Sequence, residues 1–431
     1  MKRTSRYRLA LAGLALALAL VAGAAVARPG LAAQRSQVAG TAAPGLADAS
    51  RLGDASPNSI VSLAISLPLR NAASLDSFIA AVSNPTSPLH GHYLTPTEFT
   101  QLYGPTAAQV ATVTAYLEGQ GLTVTAVAAN REVIDVKGSL AAAARAFGTS
   151  IGRYHDAHMK RTFIANDSAV SLPASVAPDV LGVAGLNNHY PPRHSRAQLR
   201  AQTGGGPAGG YTPAQLKTAY DVNPLATAGY AGSGQTVGLF ELAPFCQTDI
   251  SMYDTQYSLT PPAPTSVSVD SGSTACPTTA PASGEDEAEF DIEVIQAIAP
   301  AAGITVWVGP DPAHASETNV LHVYNAMVTS DTTRTNSTSW GDCEQDLSPS
   351  FRQSEENIFK QAAAQGQSFF AASGDYGNID CFPSTGSFKL AVNDPAADPY
   401  VTGVGGIRGS AQPGCGREPQ AHAWLRESHS L

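Results

Sequence analysis

Apolar and polar positions follow two different rhythms along the chain, and the change falls between residues 194 and 210. Before it, residues 60–69 alternate as a half-buried strand does, and Leu75, Phe78, Ile79 and Val82 then recur at helical spacing behind Ser74, a good capping residue. Residues 106–120 repeat the helical spacing, with Val110, Val113 and Leu117 on one face. Strands are predicted at 122–127 and 132–136 and a helix at 139–147. The order strand, helix, helix, strand, strand, helix, strand predicts a small α+β sandwich of the ferredoxin-like kind.

Beyond residue 210 the pattern changes to buried-looking strands, at 236–240, 304–308, 335–340 and 368–372. Helical patterns separate them at roughly 285–299, 316–328 and 350–365. Such alternation predicts an α/β domain built on a parallel sheet with both faces covered. Residues 194–210 end in a run of glycines that holds no regular element and marks a domain boundary. Residues 34–58 are rich in Ala, Gly, Ser and Pro without periodicity, so they are expected to be flexible, with structure beginning near Ser59.

A length of 431 residues suits two or three such units. The first residues change the picture by adding a leader. Lys2, Arg3, Arg6 and Arg8 precede an apolar run from Leu9 to about Val26, which closes on Ala25, Val26 and Ala27, the layout of a cleaved secretory signal. Export makes disulfides the expected use of the five cysteines, which contain no C-x-x-C pair. Cys246 with Cys276 and Cys343 with Cys381 are plausible loop-closing pairs, leaving Cys415 without a partner. A formal charge of -10, with no basic cluster, argues against a nucleic-acid partner. No later run could span a bilayer, so no stable membrane association is expected after signal removal.

The densest acidic patch, residues 284–293, runs into an apolar helical segment. Acids in a first turn ordinarily offset the helix dipole, which accounts for Glu285 and Asp286. Glu287 and Asp291 share a face with Val294, Ile295 and Ile298 and so are expected to point toward the core, where carboxylates are costly unless they share protons or serve a function. A second candidate is Asp375, set between Gly374 and Gly377 at the carboxyl end of an apolar strand, where open α/β sheets place their chemistry; an ordinary turn is the alternative. No G-x-S-x-G is present, and no histidine is placed beside a serine as in the common hydrolase triad. Asn336-Ser337-Thr338 fits a glycosylation acceptor but falls in a strand expected to be buried.

These residues resemble a known family. Glu287-x-x-x-Asp291-Ile292-Glu293, Ser339-Trp340-Gly341, Ser373-Gly374-Asp375-x-Gly377, and Pro399-Tyr400-Val401 before Gly403-Val404-Gly405-Gly406 occur in the order found in sedolisins, the serine-carboxyl peptidases. In the first half, Leu67-Pro68-Leu69, Ser87-Pro88, Tyr93-Leu94-Thr95, Phe147-Gly148 and Arg161-Thr162-Phe163 resemble a pro-kumamolisin activation domain. Tyr211-Thr212-Pro213, with Leu216, Ala219 and Tyr220, resembles the start of a mature enzyme.

The resemblance implies a signal peptide at 1–27, a flexible segment at 28–58, an activation propeptide at 59–193 and a processing linker at 194–210. A subtilisin-like peptidase domain would occupy 211–407, ahead of an aberrant tail at 408–431. Glu287 would be the general base for a serine, Asp291 would orient it and hold a shared proton, and Asp375 would be the oxyanion-hole acid. Peptide or protein substrates, the propeptide as intramolecular inhibitor, a secreted location, operation in acid and a calcium ion would follow. The family's later Gly-Thr-Ser and its calcium loop have no counterpart after residue 210, and Gly148-Thr149-Ser150 lies in the propeptide. The peptidase domain is therefore expected to be incomplete, and no calcium ligand can be named. The alternative expectation is a catalytically inactive fragment that binds or inhibits.

Overall fold

The structure, a computed structural model, describes residues 34–194, 204–206, 210–277 and 283–406. The signal segment 1–27, most of the linker 194–210 and the tail 408–431 lie outside the described residues. From Arg35 onward the chain forms one unit, in which a four-stranded antiparallel sheet and a six-stranded parallel sheet carry the two halves.

In the first half, β1 (Ile60–Ser66), β2 (Thr123–Val127), β3 (Val133–Ser139) and β4 (Gly182–Ala184) form a sheet in the order 2-3-1-4. All neighbours are antiparallel, which is the ferredoxin-like arrangement. The helices α1 (Ala72–Ser83), α2 (Ala107–Gly119) and α3 (Leu140–Phe147) form where the spacing places them. Thr106 and Gln109 close a reciprocal capping box on α2, and Ser139 accepts the Ala142 N–H at the start of α3. Leu63, Ile65, Val113, Leu117, Ile134 and Phe147 meet in one core.

The expectation that structure begins near Ser59 is not met. Arg35–Gln37 pairs with Ser171–Pro173, and Ser50–Asp54 extends a second sheet made by Ile151–Asp156 and Arg161–Asn166. These edge pieces are almost entirely exposed, so they carry no alternation to read. They are held by backbone ladders and by anchors such as Arg51 on Asp54 and Asp167 at 2.6 and 2.9 Å.

In the second half, β5 (Thr236–Glu241), β6 (Thr265–Ser268), β7 (Gly303–Val308), β8 (Thr335–Thr338), β9 (Ser368–Ala372) and β10 (Val401–Val404) are parallel throughout. They lie in the order 6-7-5-8-9-10. The first strand of this series, β5, is central, so the order reverses direction there, and the loops leaving the carboxyl ends of β5, β8 and β9 share one edge. The helices α4 (Glu285–Ile298), α5 (Glu317–Ser330) and α6 (Pro349–Ala364) follow strands as crossovers. This is the α/β parallel sheet that the alternation predicts, and it agrees with the subtilisin-like fold that the resemblance implies. Disulfides join Cys246 to Cys276 and Cys343 to Cys381. Asn336 is fully buried and accepts from the Thr333 hydroxyl at 2.6 Å, so it is no glycan acceptor in this fold.

The two halves pack through α5 and α6. Ala64, Val133 and Ala184 of the antiparallel sheet join Leu321, Tyr324, Phe351 and Ile358 in one core. Polar groups fix the fit. Asn130 Nδ2 donates to Asn325 at 2.6 Å and to Gln361 at 2.9 Å, all three residues being buried. His322 stands between Asp135 of β3 at 2.7 Å and Asp270 at 2.6 Å. Burial disfavours its charge, but the two carboxylates outweigh that and raise its pKa from 6.5 to about 9.

Two outcomes follow. Phe359, fully buried with its ring 5.1 Å from both Tyr324 and Phe369, should lose about 3–5 kcal/mol of stability on truncation to Ala, measured by urea unfolding at unchanged slope. The second concerns the His322 bridge. Its raised pKa gives stability that is complete below 6.5 and lost as pH rises through about 9. Asp270, held below its ordinary value by His322 against the effect of burial, gives stability that is lost as pH falls through that lowered value. Asp135→Asn should therefore depress the thermal midpoint at neutral pH, and the difference from wild type should shrink above pH about 9.

Candidate active site

The carboxyl edge of the parallel sheet gathers the acidic residues. Glu241 ends β5 and is completely buried. Trp340, just past β8, donates its indole N–H to Glu241 Oε2 at 2.7 Å. Burial, and then the charge of Asp291, pushes the Glu241 carboxyl far above the ordinary carboxylate range, so it is a protonated acid. Asp291 on α4 lies near enough for its charge to act on Glu241. Asp291 in turn accepts the Ser339 hydroxyl, which lies 3.0 Å from each carboxylate oxygen. Burial first, and the charge of Glu287 second, raises Asp291 to about 7 against the opposing pull of the Ser339 hydrogen bond.

The helix that carries these acids is rotated from the expected orientation. Its buried stripe runs through Glu285, Ala288, Ile292 and Gln296, not through Val294, Ile295 and Ile298. Glu287 and Asp291 sit on the shoulder of that stripe, one residue or about 100° away, and both are half-buried. The position suits chemistry better than a core site would, because one side of each carboxyl faces the protein and the other the cleft. Gly284 caps the helix at φ 88°. A Cβ there would come within 2.6 Å of the Trp340 ring, so glycine lets the helix start close against the tryptophan.

Asp375 lies on the same edge, in the loop after β9, and is exposed. The loop is shaped by Asp380, whose carboxylate accepts the backbone N–H groups of Tyr376 and Asp375. Gly374, at φ 95°, lies so close to Asp380 that a side chain would collide with its carboxylate. Glu287 and Asp291 thus come together with each other, while Asp375 sits two strands over from Glu241 along the sheet edge. Sequence reasoning missed Glu241. Its signal was an acid at the end of an apolar strand and followed by Leu242 and Ala243, a place where an ionised side chain is expensive.

The last described residues of the first half end in this cleft. Arg193–His194 pairs antiparallel with the strand Trp340–Cys343, aligning Arg193 with Gly341 and His194 with Trp340. A small pocket beside that strand is lined by Tyr190 and Pro192 from the first half and by Trp340, Gly341, Glu355 and Asp394 from the second. Among the described residues no group fits the calcium centre that the resemblance implies. Calcium takes six to eight oxygen ligands, whereas every converging set of acids contains a sulfur of a disulfide cysteine.

The fold and site define a class: an α/β sheet with a carboxylic-acid relay at its edge, docked against an α+β domain whose last strand lies in the cleft. Residues 47–189 match the family model of the pro-kumamolisin activation domain. The chain is 30% identical over 378 residues to xanthomonalisin of Xanthomonas sp. (strain T-22), covering 79% of this chain and 44% of the relative. It is 28% identical over 356 residues to sedolisin of Pseudomonas sp. (strain 101), covering 80% and 59%. To kumamolisin of Bacillus sp. (strain MN-32) it is 30% identical over 323 residues, covering 72% and 55%. The chain belongs to the sedolisin family and carries its activation domain. It spans about half the length of these curated relatives.

The relay makes a titration testable. Because the folded pKa of Asp291 is raised, the stability it contributes is complete below its unfolded value, near 4, and is lost as pH rises through about 7. Asp291→Asn should flatten that part of the stability profile between those limits, and a carboxyl infrared band titrating near 7 should vanish with it.

Proposed function

We propose that this chain is the precursor form of a secreted serine-carboxyl endopeptidase that hydrolyses peptide bonds in acid, with its propeptide serving as intramolecular inhibitor. The observation that carries the reading is the buried cluster in which Trp340 bonds Glu241 and Ser339 bonds Asp291, beside a strand that already holds an extended piece of peptide. Glu287 would take the proton of a serine hydroxyl. Asp291 would hold Glu287 in place and buffer the proton through Glu241 and Trp340. Asp375, protonated, would donate to the developing oxyanion, which a carboxyl can do only in its acid form. A carboxylate base works where histidine would already be charged, so both roles favour low pH. The nucleophile is not assigned to any residue of this chain.

A second reading follows from the same pairing. A chain that keeps Arg193–His194 in the cleft without cutting is a binding or inhibitory module. Incubating the purified chain at about pH 4 and following its mass separates the two. Cleavage within 194–210, slowed about 100-fold or more by Glu287→Gln or Asp291→Asn, is expected of the peptidase. A folded chain that stays intact under these conditions supports the second reading.

A further inference from the structure

Two neighbouring residues hold two different acids. Trp340 takes Glu241 through its indole N–H, and Ser339, the residue before it, gives its hydroxyl proton to Asp291, 3.0 Å from each carboxylate oxygen. Ser339 stands between β8 and the strand Trp340–Cys343 and is half-buried, whereas Trp340 is buried. Its direction is fixed locally. Thr338, 2% exposed, folds its hydroxyl onto Trp340, accepting the Trp340 N–H at 3.1 Å and donating to the Trp340 carbonyl at 3.3 Å. Leu239, which packs with Ile292 of α4, pairs opposite Ser337. Ser339 lies two residues further on, so it looks toward the same helix.

The bond distinguishes the two forms of Asp291. A hydroxyl that donates to a carboxylate makes a charge-assisted bond, about twice as strong as one between neutral groups. The groups that act on Asp291 are Glu287 on its own helix, Glu241 at the end of β5 and the Ser339 hydroxyl. Burial and the charge of Glu287 press Asp291 toward the neutral acid, and Ser339 presses the other way. Glu241, bonded by Trp340 and deeper in the fold, stays protonated further toward alkali. The dipeptide Ser339-Trp340 thus gives one donor to each acid, and Trp340 is also the residue that pairs opposite His194. The backbone that seats the peptide is one residue from the bond that steadies Asp291.

We propose that Ser339 is a positioning residue that acts through Asp291: its hydroxyl steadies the carboxylate beside Glu287, so that the site gives up its proton nearer neutrality than burial alone would allow. The proposal rests on the reading of Asp291 as the residue that holds Glu287 and its proton. On that reading the hydroxyl sets the neutral-side edge of the range in which the site keeps its acid form.

The test uses the full chain with Ser339→Ala, Ser339→Gly, Ser339→Thr and Asp291→Asn, each checked for fold by near-ultraviolet circular dichroism. The carboxyl infrared band that titrates at about 7 in the wild type is assigned by its loss in Asp291→Asn. In Ser339→Ala its midpoint is expected to rise by about one to two pH units, a roughly 10- to 100-fold tighter hold on the proton, the size of a lost hydrogen bond to a charged group. Ser339→Gly, which also lacks the hydroxyl, repeats the measurement. Ser339→Thr keeps the hydroxyl and should leave the midpoint within about half a unit of wild type. Stability gives a second readout with a fixed sign. The lost bond is to the carboxylate, so the thermal midpoint of Ser339→Ala should lie close to wild type below pH about 4, where Asp291 is protonated in folded and unfolded chains alike. It should fall behind as pH rises past about 7. An unmoved band in the folded alanine or glycine chain, an equally large shift in folded Ser339→Thr, or a thermal deficit of one size at every pH would overturn the proposal. Both readouts are titrations and not turnover, so the two proposals fail separately. A shifted band in a chain that never cuts its linker retains the role of Ser339 and sinks the peptidase, whereas cutting with an unmoved band does the reverse.

Discussion

The buried Glu241 carboxyl, bonded by the Trp340 indole and set beside Asp291, fixes the geometry of the second half of the molecule. Glu241 has no access to water, so its carboxyl is tolerable only as a neutral acid with partners at hand. Those partners are the Trp340 indole and the Asp291 carboxyl, which come from different elements. The central strand, helix α4 and the segment after β8 are therefore fastened at a single point. Ser339, locked onto Asp291, sets the direction in which Trp340–Cys343 departs, and that segment is the wall along which the propeptide lies. Moving any of the three elements would strand a buried carboxyl, which makes the arrangement stiff where chemistry needs it to be.

The contact between the halves is specified by polar groups embedded in apolar packing. A surface of Ala64, Val133, Leu321 and Tyr324 alone would tolerate sliding. Asn130 reaching Asn325 and Gln361, and His322 gripping Asp135 and Asp270, would each lose buried partners on a small shift. Glu317, half-buried, accepts the backbone N–H of Gly185 and is raised to about 7 by its burial, so this seam also carries a carboxyl near neutrality. The interface is thus precise in register and sensitive to protonation at several points.

Much of this was legible in the sequence, for definable reasons. Helices α1, α2 and α3 announce themselves because one face of each is buried, and α2 and α3 also carry side-chain caps at Thr106 and Ser139, whereas α1 starts after Asn71 with no side-chain cap and takes Ser74 into its first turn. Four of the six parallel strands, β5, β7, β8 and β9, are legible from their alternation with helices, whereas β6 and β10 are largely exposed and leave no such mark. Glu287 and Asp291 stand out because two acids four residues apart enter an apolar helix, although the stripe they flank is offset by one residue from the expected one. Three kinds of feature stay hidden. The exposed strands near Arg35 and Ser50 depend on backbone pairing, which leaves no mark on side-chain pattern. Glu241 becomes meaningful only beside Trp340 and Asp291, which lie about 99 and 50 positions further on in a chain whose fold brings them together. The bridge of His322 to Asp135 and Asp270 joins residues far apart along the chain, so no local pattern marks it.

The strand Arg193–His194 lies against Gly341 and Trp340 while still covalently joined to the body it covers. Its local concentration at the cleft is set by the length of the connecting chain and not by the amount of protein in solution. Dilution cannot empty the groove while the chain is whole. A single break in the connection turns the same contact into an association between two molecules, governed thereafter by how far they can drift apart. The covalent link thus makes occupancy independent of volume, and its loss makes the surroundings part of the control.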